Sequence, residues 1–251
     1  MTDDRDLQKR RFAELARRAD NAGIFTFTPF LGLAEQDAYH ETERTLPVPA
    51  TAFGGAEGCE RVMLRFGDPD MLGYEEPFPI ACLRAAPVSE KFADALTHRD
   101  FLGALMNLGI DREVLGDIVL RDNVGYIFAD EKIVPYLLSD FRKVKHTDLK
   151  VTRADALPEG DLYRTEPILI QAAGERLDAV VAKVFRLSRA DAQTLFRRGL
   201  VFVNGRLCEN TSADPKEGAV VSVRGYGRFR YVGFTSETKK GKLNLKIEKY
   251  I

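Results

Sequence analysis

Residues 176–205 read RLDAVVAKVFRLSRADAQTLFRRGLVFVNG, and this stretch decides the fold of the C-terminal third. Leu177, Val180, Val181, Val184 and Phe185 recur at i, i+3, i+4, i+7 and i+8, which is one buried stripe of a helix. Arg176 and Lys183 are seven apart and share the opposite face. Asp191 follows Ser188 at capping-box spacing, so a second helix starts at Ser188. In that helix Ala192, Leu195 and Phe196 point to the core. Arg189, Gln193 and Arg197 recur at four-residue steps as a polar, mostly cationic stripe. Arg198 adds a cation, and Gly199 is the natural residue just past a helix end. The segment VFV-NG-RLC is then two short strands about Asn204-Gly205, a hairpin signal because both turn positions need positive φ.

Working outward, Lys216, Glu217 and Gly218 mark another turn before the alternating AVVSVRG of residues 219–225. GYGRFRYVGF (225–234) continues with glycine, arginine and aromatics. In KLNLKIEKY (242–250), Leu243, Leu245 and Ile247 face one way and Lys242, Asn244, Lys246 and Glu248 the other. Upstream, ALPEGDLYRT (156–165) is a polar connection, and the basic module begins near Pro167. Residues 80–155 read as β-α-β-β-α-β: a strand at 80–86, a helix from Glu90 capped by Ser89 with a second helical piece at 101–108, strands at 117–120 and 124–128 about a turn at Asp122-Asn123, a helix at 131–141 and a last strand at 144–151. That order suggests the ferredoxin-like arrangement that RNA-recognition-motif domains also use. Further upstream, residues 4–20 read as a helix ended by Asn21 and Gly23, a second helical stretch follows Pro29 and Gly32, and a turn at Gly54, Gly55 and Gly58 leads into a strand at 61–66. Pro69, Pro77 and Pro79 place a boundary near residue 75. The expected fold class is α+β, with an N-terminal α/β domain (1–75), a central ferredoxin-like or RRM-like domain (76–160) and a C-terminal domain of two helices plus a small sheet (167–251).

The net charge of −1 conceals a division. Residues 1–166 hold 21 Lys and Arg against 30 Asp and Glu, whereas residues 167–251 hold 16 against 8. The basic third is therefore the polyanion binder, since phosphate neutralisation supplies most non-specific nucleic-acid affinity. Arginine outnumbers lysine on its two helices and on the run from Arg224 through Arg228 to Arg230, which suits bidentate phosphate contact and stacking on unpaired bases. Cys59, Cys82 and Cys208 are odd in number and widely spaced, so neither a disulfide framework nor a zinc site is expected. The polar start MTDDRDLQKRR is unlike a signal peptide, and no apolar run reaches the length of a membrane helix.

The order RLDAVVAKVF, LSRADAQTLFRRGLVFVNGRL and KEGAVVSVRG resembles the S-four RNA-binding domain, named after a small-subunit ribosomal protein. The resemblance implies two helices and a small sheet that lay Arg176, Ser188, Arg189, Arg197, Asn204 and Lys216 against structured RNA. The charge pattern adds Lys183, Gln193, Arg198, Arg224, Arg228 and Arg230 as RNA-binding residues. HRDFLGALMNLGIDREVLGDIVL (98–120), GGAEGCER (54–61), TPFL (28–31) and RGYGRF (224–229) together look like the YlmH family of bacterial and plastid S-four proteins. The chain departs from that pattern at Cys59, where alanine is usual, and after Leu31. What the resemblance implies is a monomeric factor of the cytoplasm, or of the plastid stroma, that binds ribosomal RNA or tRNA on a large ribosomal subunit carrying stranded peptidyl-tRNA. There it would support ribosome-associated quality control.

Enzyme readings are weaker. Pseudouridine synthases carry the same appended module, and their catalytic block resembles Arg-Leu-Asp followed by threonine and glycine. Here Arg176-Leu177-Asp178 is followed by AVVA and lies within an amphipathic helix, where Asp178 favours the helix dipole. The cluster Gly54, Gly55, Gly58 lacks the Lys-Ser/Thr of a P-loop, and His40, His98 and His146 lack metal-ligand spacing. The expectation is a binder without catalytic residues, cofactor or metal, with a protein-docking adaptor as the other alternative.

Overall fold

A computed structural model describes residues 2–154 and 163–250, so most of the connection expected at 156–165 lies outside the described residues. The chain divides into two compact units, Met1–Leu162 and Tyr163–Ile251, each mixing helices with antiparallel sheet.

In the first unit α1 (Thr2–Ala22) buries Phe12, Ala16 and Ala19, residues one helical turn apart, and ends at Gly23 with φ +62. Next come β1 (Thr26–Phe27), α2 (Leu33–Thr42), β2 (Ala50–Phe53) and β3 (Met63–Phe66). The three strands pair in the order β1-β3-β2. Of these only β3 was legible as a strand. Two residues are too short to show alternation, and three of the four residues of β2 are exposed. A single turn, α3 (Pro69–Leu72), then leads away, capped by the Asp68 carboxylate.

The remainder of this unit comprises β4 (Ile80–Pro87), α4 (His98–Asn107), β5 (Leu115–Arg121), β6 (Val124–Asp130), α5 (Val134–Asp140), β7 (Lys143–Val144) and β8 (Thr147–Arg153). The sheet runs β5-β6-β4-β8-β7 with every neighbour antiparallel. Phe101 and Leu105 of α4 and Val134 and Leu137 of α5 pack with Leu83, Ala85, Ile118, Ile127 and Leu149, so both helices cover one face. The Asp122-Asn123 turn takes positive φ at both residues, as a tight hairpin requires. Two expectations fail locally. Ser89 makes no side-chain cap, and only a single 3-10 turn, Glu90–Phe92, follows it. The helix starts instead at Thr97, whose hydroxyl accepts from the Asp100 N–H while the Asp100 carboxylate accepts from the Thr97 N–H. The last strand is also a hairpin, because Lys145 turns the chain with φ +53 between β7 and β8.

The boundary expected near residue 75 separates two cores but not two units. Arg61 donates from Nε to the Leu115 carbonyl at 2.9 Å and from Nη2 to the Phe30 and Arg112 carbonyls at 2.9 and 3.0 Å. In return the Asp117 carboxylate accepts from the backbone N–H of Glu60 at 2.8 Å and of Arg61 at 2.9 Å. The glycine cluster makes this approach possible: Gly55 has φ +101, and a Cβ there would run into the ring of Phe128.

The second unit comprises β9 (Thr165–Ala172), α6 (Leu177–Val184), α7 (Arg189–Arg197), β10 (Val201–Val203), β11 (Arg206–Leu207), β12 (Val220–Val223), β13 (Gly227–Glu237) and β14 (Leu243–Tyr250). Its sheet is ordered β11-β10-β12-β13-β14-β9, antiparallel throughout. Leu177, Val180, Val181 and Val184 of α6 and Ala192, Leu195 and Phe196 of α7 meet Val201, Val221, Phe229, Tyr231, Leu245 and Ile247 in one core. The Asn204-Gly205 turn has φ +50 and +76. Strand β9 is an element that the sequence pattern does not show. It pairs with the whole of β14, from Thr165 opposite Tyr250 to Ala172 opposite Leu243. Its first residue, Thr165, reads as the end of the polar connection and Pro167 as the start of the module; proline is accommodated in the strand because β9 is an edge strand.

Candidate nucleic-acid interface

The expected cationic stripe on α7 divides according to what each side chain touches. Asp178, on the first turn of α6, has no exposed surface. Its carboxylate accepts from Gln193 Nε2 at 2.8 Å, from Arg189 Nε and Nη2 at 3.1 and 3.4 Å, and from Arg176 Nε and Nη2 at 3.3 Å each. Burial alone would raise this carboxyl, but the hydrogen bonds from Gln193, Arg176 and Arg189 outweigh it and hold the group at about 2. Arg176, Arg189 and Gln193 are therefore not a freely solvated face. They surround one buried carboxylate, and both guanidinium groups remain about half exposed, at 43% and 56% of the side chain. The arrangement fixes two cations side by side with their outer donors available to a phosphate. Asp178 does more than favour a helix dipole, and its partners lie 2, 11 and 15 residues away along the chain.

Other expected contacts also carry structural duties. The Ser188 hydroxyl caps α7, accepting from the Asp191 N–H at 3.1 Å and donating to the Asp191 carboxylate at 2.6 Å. Asn204 holds the hairpin to β12, with its side-chain oxygen accepting from the Val220 N–H and its own N–H donating to the Val220 carbonyl, both at 2.9 Å. Among the described residues Arg197 reaches only the Thr194 hydroxyl, at 2.8 Å. Lys183, Arg197, Arg198 and Lys216 are exposed, and among the described residues none has a carboxylate within salt-bridge distance.

The arginines of the sheet point elsewhere. Phe229 and Tyr231 face the helices, so Arg228 and Arg230, alternating with them on β13, lie on the opposite face. Arg228 stands 4.1 Å from the Tyr163 ring centre and 4.2 Å from that of Tyr250. Arg230 pairs with Glu248 at 3.5 Å and reaches the Tyr250 hydroxyl at 3.3 Å. Arg224, in the β12–β13 turn, lies 5.3 Å over the Phe202 ring. The twelve expected residues thus do not form one surface: seven lie on or at the ends of the two helices, Arg228 and Arg230 lie on the far face of the sheet, and Asn204, Lys216 and Arg224 lie in the connections between strands. Sequence alternation separates Arg228 and Arg230 from Phe229, but it does not say which face the helices cover.

Among the described residues no group of three His, Cys, Asp or Glu side chains could hold a metal ion, and no helix is long and apolar enough to cross a membrane.

Known proteins share parts of this chain. The family model described as "Putative RNA-binding domain in YlmH" matches residues 75–157, the segment that contains the β5-β6-β4-β8-β7 sheet. The ribosome-associated protein quality control protein P2 of Bacillus subtilis is 30% identical over 226 residues, covering 88% of this chain and 86% of that protein. A solved structure, the cell division protein ylmH from Streptococcus pneumoniae, is 18% identical with a TM-score of 0.44, over 56% of this chain and 85% of that one. With a relative matched over most of both chains and a domain model matched across its middle, this chain belongs to the YlmH family.

Proposed function

We propose that the chain is an RNA-binding factor that associates with the ribosome and acts in quality control of stalled nascent chains, with the unit Tyr163–Ile251 supplying most of its RNA affinity. The observation that carries this reading is the pairing of Arg176 and Arg189 on a buried carboxylate, surrounded by exposed cations with no acidic partner among the described residues, in the basic part of a chain whose relative is named for ribosome-associated quality control. Residues 75–157, the span of the RNA-binding family model, hold 11 Lys and Arg against 14 Asp and Glu. Bulk charge therefore does not draw RNA there, and contacts from that segment would be local ones.

The intended partner is structured RNA, ribosomal or transfer, on the large ribosomal subunit. Filter binding of residues 1–162 and 163–251 to a structured RNA tests the division of labour. The basic unit is expected to bind with strong salt dependence and the acidic unit far more weakly. Equal affinity would overturn the assignment. Sedimentation of extracts on a sucrose gradient tests the partner: the full chain should travel with free large subunits, and its absence from ribosomal fractions would refute the ribosomal part.

We further propose binding without catalysis. Asp178, the aspartate of the Arg-Leu-Asp tripeptide, is buried and engaged by three side chains, which opposes a nucleophilic role. Loss of a specific pseudouridine from cellular RNA on deletion of the gene, read by mass spectrometry, would revive the synthase reading.

A further inference from the structure

The β12–β13 turn presents an aromatic ring to solvent in a setting that tertiary contacts hold still. Arg224, Gly225 and Tyr226 connect Val223 to Gly227, which are paired across the two strands. The Tyr226 N–H donates to the Val223 carbonyl at 3.0 Å, and Gly225 and Gly227 take φ +85 and +116. These positive angles favour glycine on either side of the tyrosine.

Tyr226 is 46% exposed. Its inner side rests on Phe185, with ring centres 5.8 Å apart and planes at 55°. Phe185 follows α6 and is itself braced by the fully buried Phe229, at 5.9 Å. Gly227 packs beside this stack; a Cβ there would stand 3.9 Å from the Phe185 ring, an ordinary contact, so the positive φ and not the space is what calls for glycine.

One cation lies over the aromatic pair and two more flank it along the chain. Lys249 Nζ lies 5.7 Å over the Phe185 ring. Arg186, the next residue after Phe185, is exposed with φ +56, and Arg224 opens the same turn as Tyr226. Among the described residues none of Arg186, Arg224 and Lys249 has a carboxylate within salt-bridge distance. The residue opposite Lys249 in the β9–β14 register is the acid Glu166, which is exposed and, among the described residues, makes no ion pair with it. Glu248, next to Lys249 on β14, faces the other side and pairs with Arg230.

We propose that Tyr226 is a stacking platform for one unpaired base of the bound RNA, with Lys249 and Arg186 meeting the phosphates that flank it. This rests on the reading of this unit as the RNA-binding part of the chain and adds the kind of nucleotide it takes. An exposed aromatic ring with a cationic rim matches the two features of an unpaired nucleotide, a π face and a charged backbone. The brace from Phe185 and the fixed turn mean that little side-chain freedom is lost when a base arrives. A fully paired duplex offers no free base face to such a ring.

The test uses the full chain and two short RNA hairpins, one fully paired and one with a single bulged fluorescent adenine analogue. Affinity is read by anisotropy, and stacking by quenching of the analogue. The wild-type chain is expected to prefer the bulged hairpin and to quench it. Tyr226→Ala is expected to lose the quenching and about tenfold of the affinity for the bulged hairpin, leaving the paired one unchanged. Tyr226→Phe keeps the ring and should retain both. Tyr226→Leu keeps apolar packing against Phe185 without a π face, so it should behave like the alanine variant. Wild-type quenching and affinity in Tyr226→Leu or Tyr226→Ala would overturn the stacking role while leaving RNA binding intact. Binding of neither hairpin by the wild-type chain would instead overturn the RNA-binding reading on which the proposal stands.

Discussion

Replacing Arg189 by alanine removes two of the hydrogen bonds that reach Asp178 and leaves Arg176 and Gln193 to hold a carboxylate with no exposed surface. The carboxyl sits at about 2 against an ordinary 3.8. At about 1.4 kcal/mol per unit that depression is worth about 2 kcal/mol at neutral pH. Three side chains share it, so losing one costs about 1–2 kcal/mol, including the poorer satisfaction of a buried charge. For a unit of this size about 1 kcal/mol moves the midpoint by roughly 4–8 °C. Arg197→Ala is the matched control: it removes an equal charge from the same helix but only a hydroxyl contact, and should stay within about 0.5 kcal/mol. The assay is thermal melting followed by circular dichroism from pH 7 downward. Because the folded carboxyl is depressed, its contribution is fully present above about pH 4 and is lost as pH falls toward 2. The Arg189→Ala deficit should therefore shrink over that window and that of Arg197→Ala should not change. If the two variants melt alike at neutral pH, or the deficit of Arg189→Ala is unaffected by acid, Asp178 does not organise this surface.

Leu195→Ala, a truncation in the core between the helices and the sheet, should cost about 2–5 kcal/mol in melting experiments, far more than Arg197→Ala on the same helix. Gly55→Ala forces a side chain into positive φ and against Phe128, and should destabilise the first unit by about 1–3 kcal/mol, read as a lower urea midpoint with the second unit's transition unmoved. Converting Lys183, Arg197 or Arg198 to glutamine should flatten the log–log salt dependence of RNA binding by about one unit for each phosphate that is no longer neutralised, whereas Arg230→Gln, already tied to Glu248, should change the slope much less.

Local chemistry made much of the fold legible in the chain itself. Apolar residues at helical spacing placed α1, α6 and α7. The Ser188 and Asp191 pair marked the start of α7, and Asn204-Gly205 and Asp122-Asn123 marked their turns. These signals involve residues a few positions apart, where backbone geometry alone decides which side chains meet. The division of charge pointed to the same basic module in which the candidate interface lies. Tertiary contact decided what local signals could not. Thr97 rather than Ser89 became the helix cap because the hydroxyl and Asp100 complete a reciprocal pair there. Strand β9 exists because β14 offers it a free edge, and β1 and β2 exist because β3 lies between them. Arg61 and Asp117 join segments more than fifty residues apart into one unit. Above all, the sequence placed Arg189 and Gln193 on the outer stripe of α7 and Arg176 on the outer face of α6, since helical spacing shows only which side chains share a face. Whether that face meets water or a buried carboxylate depends on how α6 and α7 cross, and only the packed structure brings Asp178 to them.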